Sequence, residues 1–289
     1  MAITYDLVKQ TTAQLYDWSL RRIPEDTKKA LASAELVERN PVGKRTLRIM
    51  QESALAAEAS NHFVCSDNGV PVYFIEVGTR AQLPANFRAA ISDGWDELVD
   101  RIEPPLLAHV TNPLNNERGH RGKGMPLCTF DIVDDADDVE ITCAPKALGS
   151  GRWAALEVFS FPSLETIEKF VLDTVRKAGS QPCPPVVIGV GIGGSFDVAA
   201  RMSKHATLRT IGSVNPEPML AQMEARLLEA VNRTGFGPMG TGGNSTAMTV
   251  HIEHSSGHGF TPVAVSFNCW INRRTKARIG NDGVVTRIE

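Results

Sequence analysis

Three of the five cysteines stand where thiolates could hold a metal centre. Cys65, Cys183 and Cys269 are far apart in the chain, and each stands beside a Pro-, Gly- or Asn-rich turn segment at the end of an apolar run. An iron–sulfur cluster in which one iron has no protein ligand needs three such thiolates, brought together by folding. The sequence therefore predicts a cluster site formed by these three side chains.

Two glycine-rich segments follow the second of these cysteines. Residues 189–194 satisfy the spacing G-x-G-x-x-G between a predicted strand and a predicted helix, as a dinucleotide-binding turn would. The strand that should follow is interrupted by Pro216 and Pro218, so we favour a helix N-terminus whose amides approach an anion or a cluster sulfide. Residues 237–246 form either a flexible turn or a second part of the site. A dinucleotide-dependent oxidoreductase stays open as an alternative function.

The remaining metal-binding patterns are weaker. Three histidines closely precede the third cysteine, but their spacing fits no common zinc site; they are His251, His254 and His258. Residues 134–138 are acidic but lack the glycine and the distal Glu of an EF-hand, which favours a solvated turn. Cys128 and Cys143 are expected to face each other across a hairpin, where packing is commoner than ligation. The thiolate site therefore stays the leading metal hypothesis.

Composition and charge limit the class of protein. The chain has 289 residues, of which 42% are hydrophobic and 22% charged, the balance of a soluble globular protein. Its formal net charge of −3 gives no overall positive potential that would attract nucleic acid. The short basic stretch 273–278 is expected to be a solvated face. No apolar run approaches the ~20 residues that span a bilayer, and no export signal is visible at the N-terminus. Five cysteines without close pairs fit a reducing cytosol, so we expect a cytoplasmic protein without nucleic-acid or membrane partners.

The elements that must position these residues are a helical opening and a mixed remainder. Apolar residues at helical spacing predict a helical lead-in over about residues 1–61, with helices near 5–20, 25–38 and 43–60. Later helices are predicted at 86–101, 164–178, 196–208 and 219–232. Strands are predicted at 72–77, 127–133, 139–144, 186–190, 247–253 and 263–267.

Two features of this order matter for the fold. The strands at 127–133 and 139–144 are neighbours in sequence and predict a β-hairpin or meander. Residues 104–126 form an aperiodic loop, which in a compact chain is usually functional or a linker. No repeat, low-complexity segment or clear linker divides the chain, so a single domain is expected.

Five blocks of the chain, in order, resemble the α subunit of class I fumarate hydratases, the family that includes the iron–sulfur L-tartrate dehydratases. They are residues 65–69, 144–150, 183–194, 237–240 and 262–269. The match runs from about residue 5 to residue 278 and so covers nearly the whole chain. The resemblance implies an α/β fold of α+β type, with N-terminal helices packed around a mixed β-sheet in one α-subunit domain, residues 1–289.

The resemblance also implies a cofactor and a reaction. The cofactor is a [4Fe–4S] cluster on Cys65, Cys183 and Cys269, whose fourth iron is left open for substrate. The reaction is the reversible addition or removal of water on a dicarboxylic 2-hydroxy acid of the fumarate and malate type, which makes the chain a hydro-lyase. Such chemistry needs a Lewis acid for the hydroxyl, an anchor for the carboxylate and a base for a C–H proton.

Catalytic and substrate-binding residues follow from the same resemblance. Asp67, two residues after a ligand cysteine, would lie beside the substrate hydroxyl and help to move its proton; on sequence alone, an aspartate that caps a turn is equally common. His258 matches, with a shift of one residue, a histidine that the family places near a substrate carboxylate. The resemblance assigns substrate binding to four further residues: Ser66, Lys146, Gly149 and Ser150.

The chain departs from the family pattern where substrate is held. Ala147 and Leu148 stand where the family usually has glycines, and Leu107 stands where many members have an arginine that grips a carboxylate. Compensating guanidinium groups could come from three arginines: Arg118, Arg121 and Arg152. L-tartrate or a methyl-substituted dicarboxylate is therefore an alternative substrate.

The resemblance implies a partner as well. Single-chain members continue into a second domain with further substrate-binding groups, whereas this sequence stops eleven residues after Arg278. We therefore expect a separate β subunit in an α2β2 assembly. The other alternative is a non-catalytic subunit that only carries the cluster, which would bind iron without turnover.

Overall fold

The computed structural model describes residues 2–289 as helices and mixed sheets. The α-helices are α1 (Tyr5–Arg21), α2 (Glu25–Val37), α3 (Pro41–Ala59), α4 (Phe87–Arg101), α5 (Leu148–Gly151), α6 (Leu164–Ala178), α7 (Phe196–Ala206) and α8 (Pro218–Asn232). The β-strands are β1 (Val72–Gly78), β2 (Val110–Thr111), β3 (Arg118–Gly119), β4 (Leu127–Val133), β5 (Asp138–Cys143), β6 (Ala155–Ser160), β7 (Val186–Gly193), β8 (Ala247–Ser255), β9 (Phe260–Asn268), β10 (Thr275–Gly280) and β11 (Val285–Arg287). The predicted α/β class is confirmed. Over these residues, no helix combines the length and the apolar character needed to cross a membrane.

Contacts between Cα atoms divide the chain into two compact units. Unit 1 contains the chain up to Pro24, Ala54–Ala147 and Arg273–Glu289, and unit 2 contains Glu25–Ser53 and Leu148–Asn272. The three predicted N-terminal helices are present, and they are shared, since α1 belongs to unit 1 and α2 to unit 2. The single domain over residues 1–289 stays a prediction.

Unit 1 is built on a five-stranded mixed sheet in the order β11-β10-β5-β1-β4. β1 is parallel to β4 and antiparallel to β5, and β10 is antiparallel to both β5 and β11. Helix α1 is capped by Thr4, whose Oγ1 accepts a hydrogen bond from the N–H of Leu7 at 3.2 Å. The rings of Tyr16 in α1 and Trp95 in α4 pack edge to face, with their centroids 4.9 Å apart. Both residues belong to the hydrophobic core of this unit.

Unit 2 is built on a four-stranded mixed sheet in the order β6-β9-β7-β8. β7 is parallel to β8 and antiparallel to β9, and β6 is antiparallel to β9. A Cβ atom on Gly189 or Gly191 would overlap backbone oxygens of Ser203 or Ala199 in α7. The first two glycines of the G-x-G-x-x-G motif therefore allow α7 to pack closely on β7, and this packing explains them without a dinucleotide.

The predicted hairpin of residues 127–133 and 139–144 is wrong. Both segments are strands, but β1 lies between them in the sheet. Cys128 and Cys143 are therefore not opposite each other; each stands opposite Tyr73 of β1, one on either side. β1 is buried along nearly its whole length, and a strand buried on both faces lies inside a sheet, which the local pattern of the two later strands does not show.

The prediction that residues 273–278 form a solvated face is also wrong. Strand β10 occupies most of this stretch, and Arg273 and Arg274 are buried. Lys276 of β10 makes an ion pair with Glu140 of β5 at 2.6 Å. Carboxylates on the neighbouring strand therefore neutralise charges that the sequence shows only as a basic run.

Candidate active site

The segment of unit 1 that carries the first predicted ligand, residues 65–69, is held through its backbone. Arg273, which is 5% exposed, donates from Nη1 to the carbonyl oxygen of Asp67 at 2.6 Å. Tyr16 is fully buried and donates its hydroxyl to the carbonyl oxygen of Gly69 at 2.9 Å. The side chains that could do chemistry take no part in these bonds: half-buried Cys65 and Asp67, and exposed Ser66.

The aperiodic loop after α4 packs against the same segment within unit 1. Leu107 donates its N–H to Oδ1 of Asn68 at 2.9 Å. Two residues further, Nε2 of His109 lies 3.3 Å from Oδ1 of Asp67. Sequence analysis missed His109, for which the only signal was a histidine inside a long loop without periodicity. The predicted catalytic aspartate therefore has a neighbour that the sequence did not predict.

The predicted substrate-binding block, residues 146–150, is divided between the two units. Lys146 belongs to unit 1 and exchanges two backbone hydrogen bonds with Val70, each at 3.0 Å. Gly149 and Ser150 belong to unit 2, where Ser150 is buried in the one-turn helix α5. The structure therefore places Lys146 next to the first cysteine segment, and the other two residues in the unit of the other two cysteines.

The second and third predicted ligands stand on neighbouring turns of unit 2. The N–H of Trp270, the residue after Cys269, donates to the carbonyl oxygen of Cys183 at 3.1 Å. The turn that follows is closed by the N–H of Asn272, which donates to the carbonyl oxygen of Cys269 at 2.9 Å. Both thiols are half-buried, and neither forms a disulfide. The structure therefore joins two of the three predicted ligand turns.

The second glycine-rich segment, residues 237–246, packs on the turn of the second cysteine. Met239 donates its N–H to the carbonyl oxygen of Pro184 at 2.8 Å. The end of the segment is held by the buried carboxylate of Glu38, whose two oxygens accept from the N–H of Asn244 at 3.1 and 3.0 Å. Burial raises the pKa of Glu38, but hydrogen bonds from backbone N–H groups outweigh it and lower the pKa below its ordinary value. An ionised carboxylate therefore anchors this segment.

The histidines ahead of the third cysteine have separate environments. His251 is fully buried, with Nδ1 at 3.1 Å from the oxygen of Ala206 and Nε2 at 3.1 Å from Oγ1 of Thr249. His258 is exposed between β8 and β9, and its ring stacks on that of Phe260 at 5.3 Å. Across residues 2–289, no group of three or more His, Cys, Asp or Glu side chains is arranged to hold a metal ion.

The chemistry of the three predicted thiol ligands fits an iron–sulfur cluster. Cys65, Cys183 and Cys269 are half-buried and form no disulfide, and thiolates are the usual protein ligands of such clusters. Burial raises the pKa of Cys128 to about 11 and also raises the pKa of Cys143, so both are held as protonated thiols. The cluster on Cys65, Cys183 and Cys269 stays a prediction.

Comparison with known proteins decides the family. The family model described as Fumarate hydratase (Fumerase) matches residues 9–278. The chain belongs to this family. The putative L(+)-tartrate dehydratase subunit alpha of Methanocaldococcus jannaschii is 34% identical over 283 residues, which are 95% of this chain and 98% of that relative. The L(+)-tartrate dehydratase subunit alpha of a strain of Escherichia coli is 35% identical over 266 residues, 90% of this chain and 87% of that relative.

Membership in the fumarate hydratase family confirms the predicted resemblance and the predicted class of enzyme. The chain is a hydro-lyase of the type that acts on dicarboxylic acids. Both relatives are named as α subunits, each one component of a larger enzyme.

Proposed function

We propose that this chain is the α subunit of an iron–sulfur hydro-lyase that adds or removes water on a dicarboxylic 2-hydroxy acid, working with a separate β subunit in an α2β2 assembly. The observation that carries the proposal is the match to L(+)-tartrate dehydratase α subunits over nearly the whole of both chains. L-tartrate is therefore the first substrate to test. Malate and fumarate follow, because the family description names fumarate hydratase.

In the proposed enzyme, Cys65, Cys183 and Cys269 would hold a [4Fe–4S] cluster. When bound, the cluster supplies a Lewis acid through the iron that has no protein ligand. The support for this ligand set is the half-buried position of all three thiols, none of them in a disulfide, and the hydrogen bond that joins the turns of Cys183 and Cys269. Cys128 and Cys143 serve as matched controls, because burial keeps their thiols protonated.

Asp67 is proposed to move the proton of the substrate hydroxyl. Its main chain is fixed by Arg273, so the carboxylate starts from a defined backbone position. Proton transfer by a positioned carboxylate contributes typically about 10²–10⁴-fold to a rate. Ser66, exposed directly before it, is proposed to hydrogen-bond the substrate through its hydroxyl.

Two substrate carboxylates need cationic or hydrogen-bonding partners. We assign this role to Lys146 for its ammonium group, and to Gly149 and Ser150 for their N–H groups. His258 is proposed to meet a carboxylate as well, because its ring is on the surface of the chain, where a bound molecule can reach it. Charge-assisted bonds of this kind are the stronger ones in a site.

Two of the three arginines considered as substitutes for the missing guanidinium are already engaged. The guanidinium of Arg121 is bound by Asp96 at 2.9 Å and by Asp100 at 2.8 Å. The guanidinium carbon of Arg152 lies over the indole ring of Trp153, 5.2 Å from the ring centroid. Arg118 on β3 is exposed and is the remaining candidate of the three.

The test uses α and β subunits purified together without oxygen. We expect about four irons and four sulfides per α chain, and turnover of L-tartrate or a related dicarboxylic 2-hydroxy acid. Activity should be lost in air and restored by ferrous iron and thiol. Serine variants should distinguish the cluster ligands from the other cysteines. Iron should be lost in Cys65→Ser, Cys183→Ser and Cys269→Ser, and kept in Cys128→Ser and Cys143→Ser.

Specificity constants for L-tartrate, malate and a methyl-substituted analogue then identify the substrate. Stoichiometric zinc without sulfide would contradict the cluster. Iron and sulfide without turnover of any of these acids would show a subunit that only carries the cluster. Oxidation of the hydroxy acid coupled to a dinucleotide would show an oxidoreductase instead.

A further inference from the structure

Buried polar atoms without a hydrogen-bond partner gather around one segment of unit 1. Across residues 2–289 they include Nδ1 of His109, Nδ2 of Asn68 and Nε of Arg273. All three lie at Asp67: Arg273 binds its carbonyl oxygen, His109 contacts its carboxylate, and Asn68 is the next residue in the chain. Buried polar groups are nearly always hydrogen-bonded, and an exception calls for a specific explanation such as a catalytic role.

His109 is the member of this group that touches a predicted catalytic side chain. Its side chain is 8% exposed, whereas that of Asp67 is 31% exposed, so the imidazole lies on the buried side of the carboxylate. Nε2 of His109 is 3.3 Å from Oδ1, an ion-pair distance without the geometry of a formed hydrogen bond. Catalytic hydrogen bonds are often long in a protein without substrate and shorten in the complex.

Hydrogen bonds hold the chain on both sides of His109. Ahead of it, the N–H of Leu107 is bound to Oδ1 of Asn68. Behind it, Val110 of β2 is paired with Gly119 of β3. The chain is thus fixed just before and just after His109, and its imidazole lies beside the carboxylate of Asp67. This is the arrangement in which one side chain orients a catalytic one.

We propose that His109 is a positioning residue for Asp67, whose carboxylate it holds through Oδ1 so that Oδ2 faces the substrate. This inference rests on the proposed function. In the direction of hydration, the water oxygen bonds to one carbon and loses its proton to Oδ2, while the carbon–carbon double bond opens and the other carbon takes a proton from a separate acid. In the reverse direction, a separate base takes the C–H proton, the double bond forms as the C–O bond breaks, and Oδ2 returns its proton to the departing oxygen. His109 keeps its own proton throughout and acts only through Asp67.

The test compares two amide substitutions in the anaerobically prepared complex of α and β subunits. The amide nitrogen of glutamine can reach the place of Nε2, whereas that of asparagine reaches only the place of Nδ1. We expect His109→Asn to lower kcat about 10²-fold with KM changed less than about threefold, and His109→Gln to stay within about tenfold of wild type. His120→Asn, in the same loop, is the control and should keep the wild-type kcat.

A double-mutant cycle shows whether His109 acts through Asp67. Asp67→Asn removes the acceptor, so adding His109→Asn to it should lower kcat by less than about twofold more. Iron per chain and the urea midpoint of unfolding should be the same in all variants, which separates positioning from folding. If His109→Asn folds poorly, His109→Ala takes its place both in the comparison with His109→Gln and in the cycle.

Three outcomes would overturn the inference. Full activity of His109→Asn would show that Asp67 needs no support, and additive losses in the cycle would show that His109 acts independently of it. Equal losses in the asparagine and glutamine variants would show that the donor at Nε2 is not what matters. A wild-type complex without turnover of any dicarboxylic 2-hydroxy acid would instead overturn the proposed function, and the role of His109 with it.

Discussion

Replacing Glu38 by alanine tests how the glycine-rich segment 237–246 is held. The carboxylate is 5% exposed, and its oxygens accept hydrogen bonds from the N–H groups of Asn244 and Asn40 at 3.0 to 3.1 Å. Glu38→Ala leaves both N–H groups without their acceptor. A buried donor that loses its partner costs about 1–3 kcal/mol, so the free energy of unfolding should fall by about 2–4 kcal/mol once water enters the space.

The measurement is urea unfolding of the chain followed by tryptophan fluorescence. Glu35→Ala, three residues earlier in α2, is the matched control, because Glu35 makes a more exposed ion pair with Arg48 at 2.9 Å. Such a pair is worth about 0–1 kcal/mol, so the control should stay near wild type. Equal losses in the two variants would refute the idea that the buried carboxylate holds the segment.

The same carboxylate gives stability a pH dependence of known sign. Burial raises the pKa of Glu38, and hydrogen bonds outweigh it, so the folded pKa lies below the ordinary value of 4.5. A lowered folded pKa gives stabilisation that is present above the unfolded pKa and is lost as the pH falls through the folded pKa. Glu38→Gln should therefore reduce the loss of unfolding free energy between about pH 6 and about pH 3.5. An unchanged loss would contradict the anchoring.

Two further predictions concern the turns and the thiols. Gly69 has φ +74°, and a Cβ there would lie 2.6 Å from the carbonyl carbon of Lys146, so Gly69→Ala should lower the free energy of unfolding by about 2–4 kcal/mol. Gly124→Ala, with φ +81° and no atom within 4 Å, should lose only about 1–2 kcal/mol in the same urea titration. Brief alkylation of the metal-free chain near pH 8, mapped by peptide mass spectrometry, should mark Cys65, Cys183 and Cys269 before Cys128 and Cys143, whose pKa values are raised by burial. Early labelling of Cys143 would contradict its burial.

The helices were predictable because their signals are local. The lead-in helices and α6 follow from apolar spacing, caps and the prolines between them, and their ends lie within a few residues of the predicted ones. The order of strands was not predictable in this way. β4 and β5 are neighbours in sequence, yet both pair with β1, because pairing depends on which strand is buried on both faces.

The candidate site shows the same division between local and distant signals. The cysteines stand out by residue type and by the turns beside them, whereas the groups that hold those turns come from far along the chain. Arg273 binds the carbonyl of Asp67 across 206 residues, and Glu38 binds Asn244 across 206 residues. No periodicity or spacing connects such pairs. His109 was missed for that reason, since its loop has no pattern that points to Asp67.

The bonds that hold the proposed ligand turns run mostly to backbone atoms, and this has a consequence for the site. Tyr16 binds the carbonyl of Gly69, and Trp270 binds that of Cys183 through its N–H. Because these bonds use main-chain acceptors, the side chains on the turns can change without releasing the turns. The expected departures from the family pattern at Leu107 and Leu148 are therefore compatible with turns whose backbone bonds stay in place. Substrate preference can then vary through the side chains that line the site, on turns whose main chain is held in place.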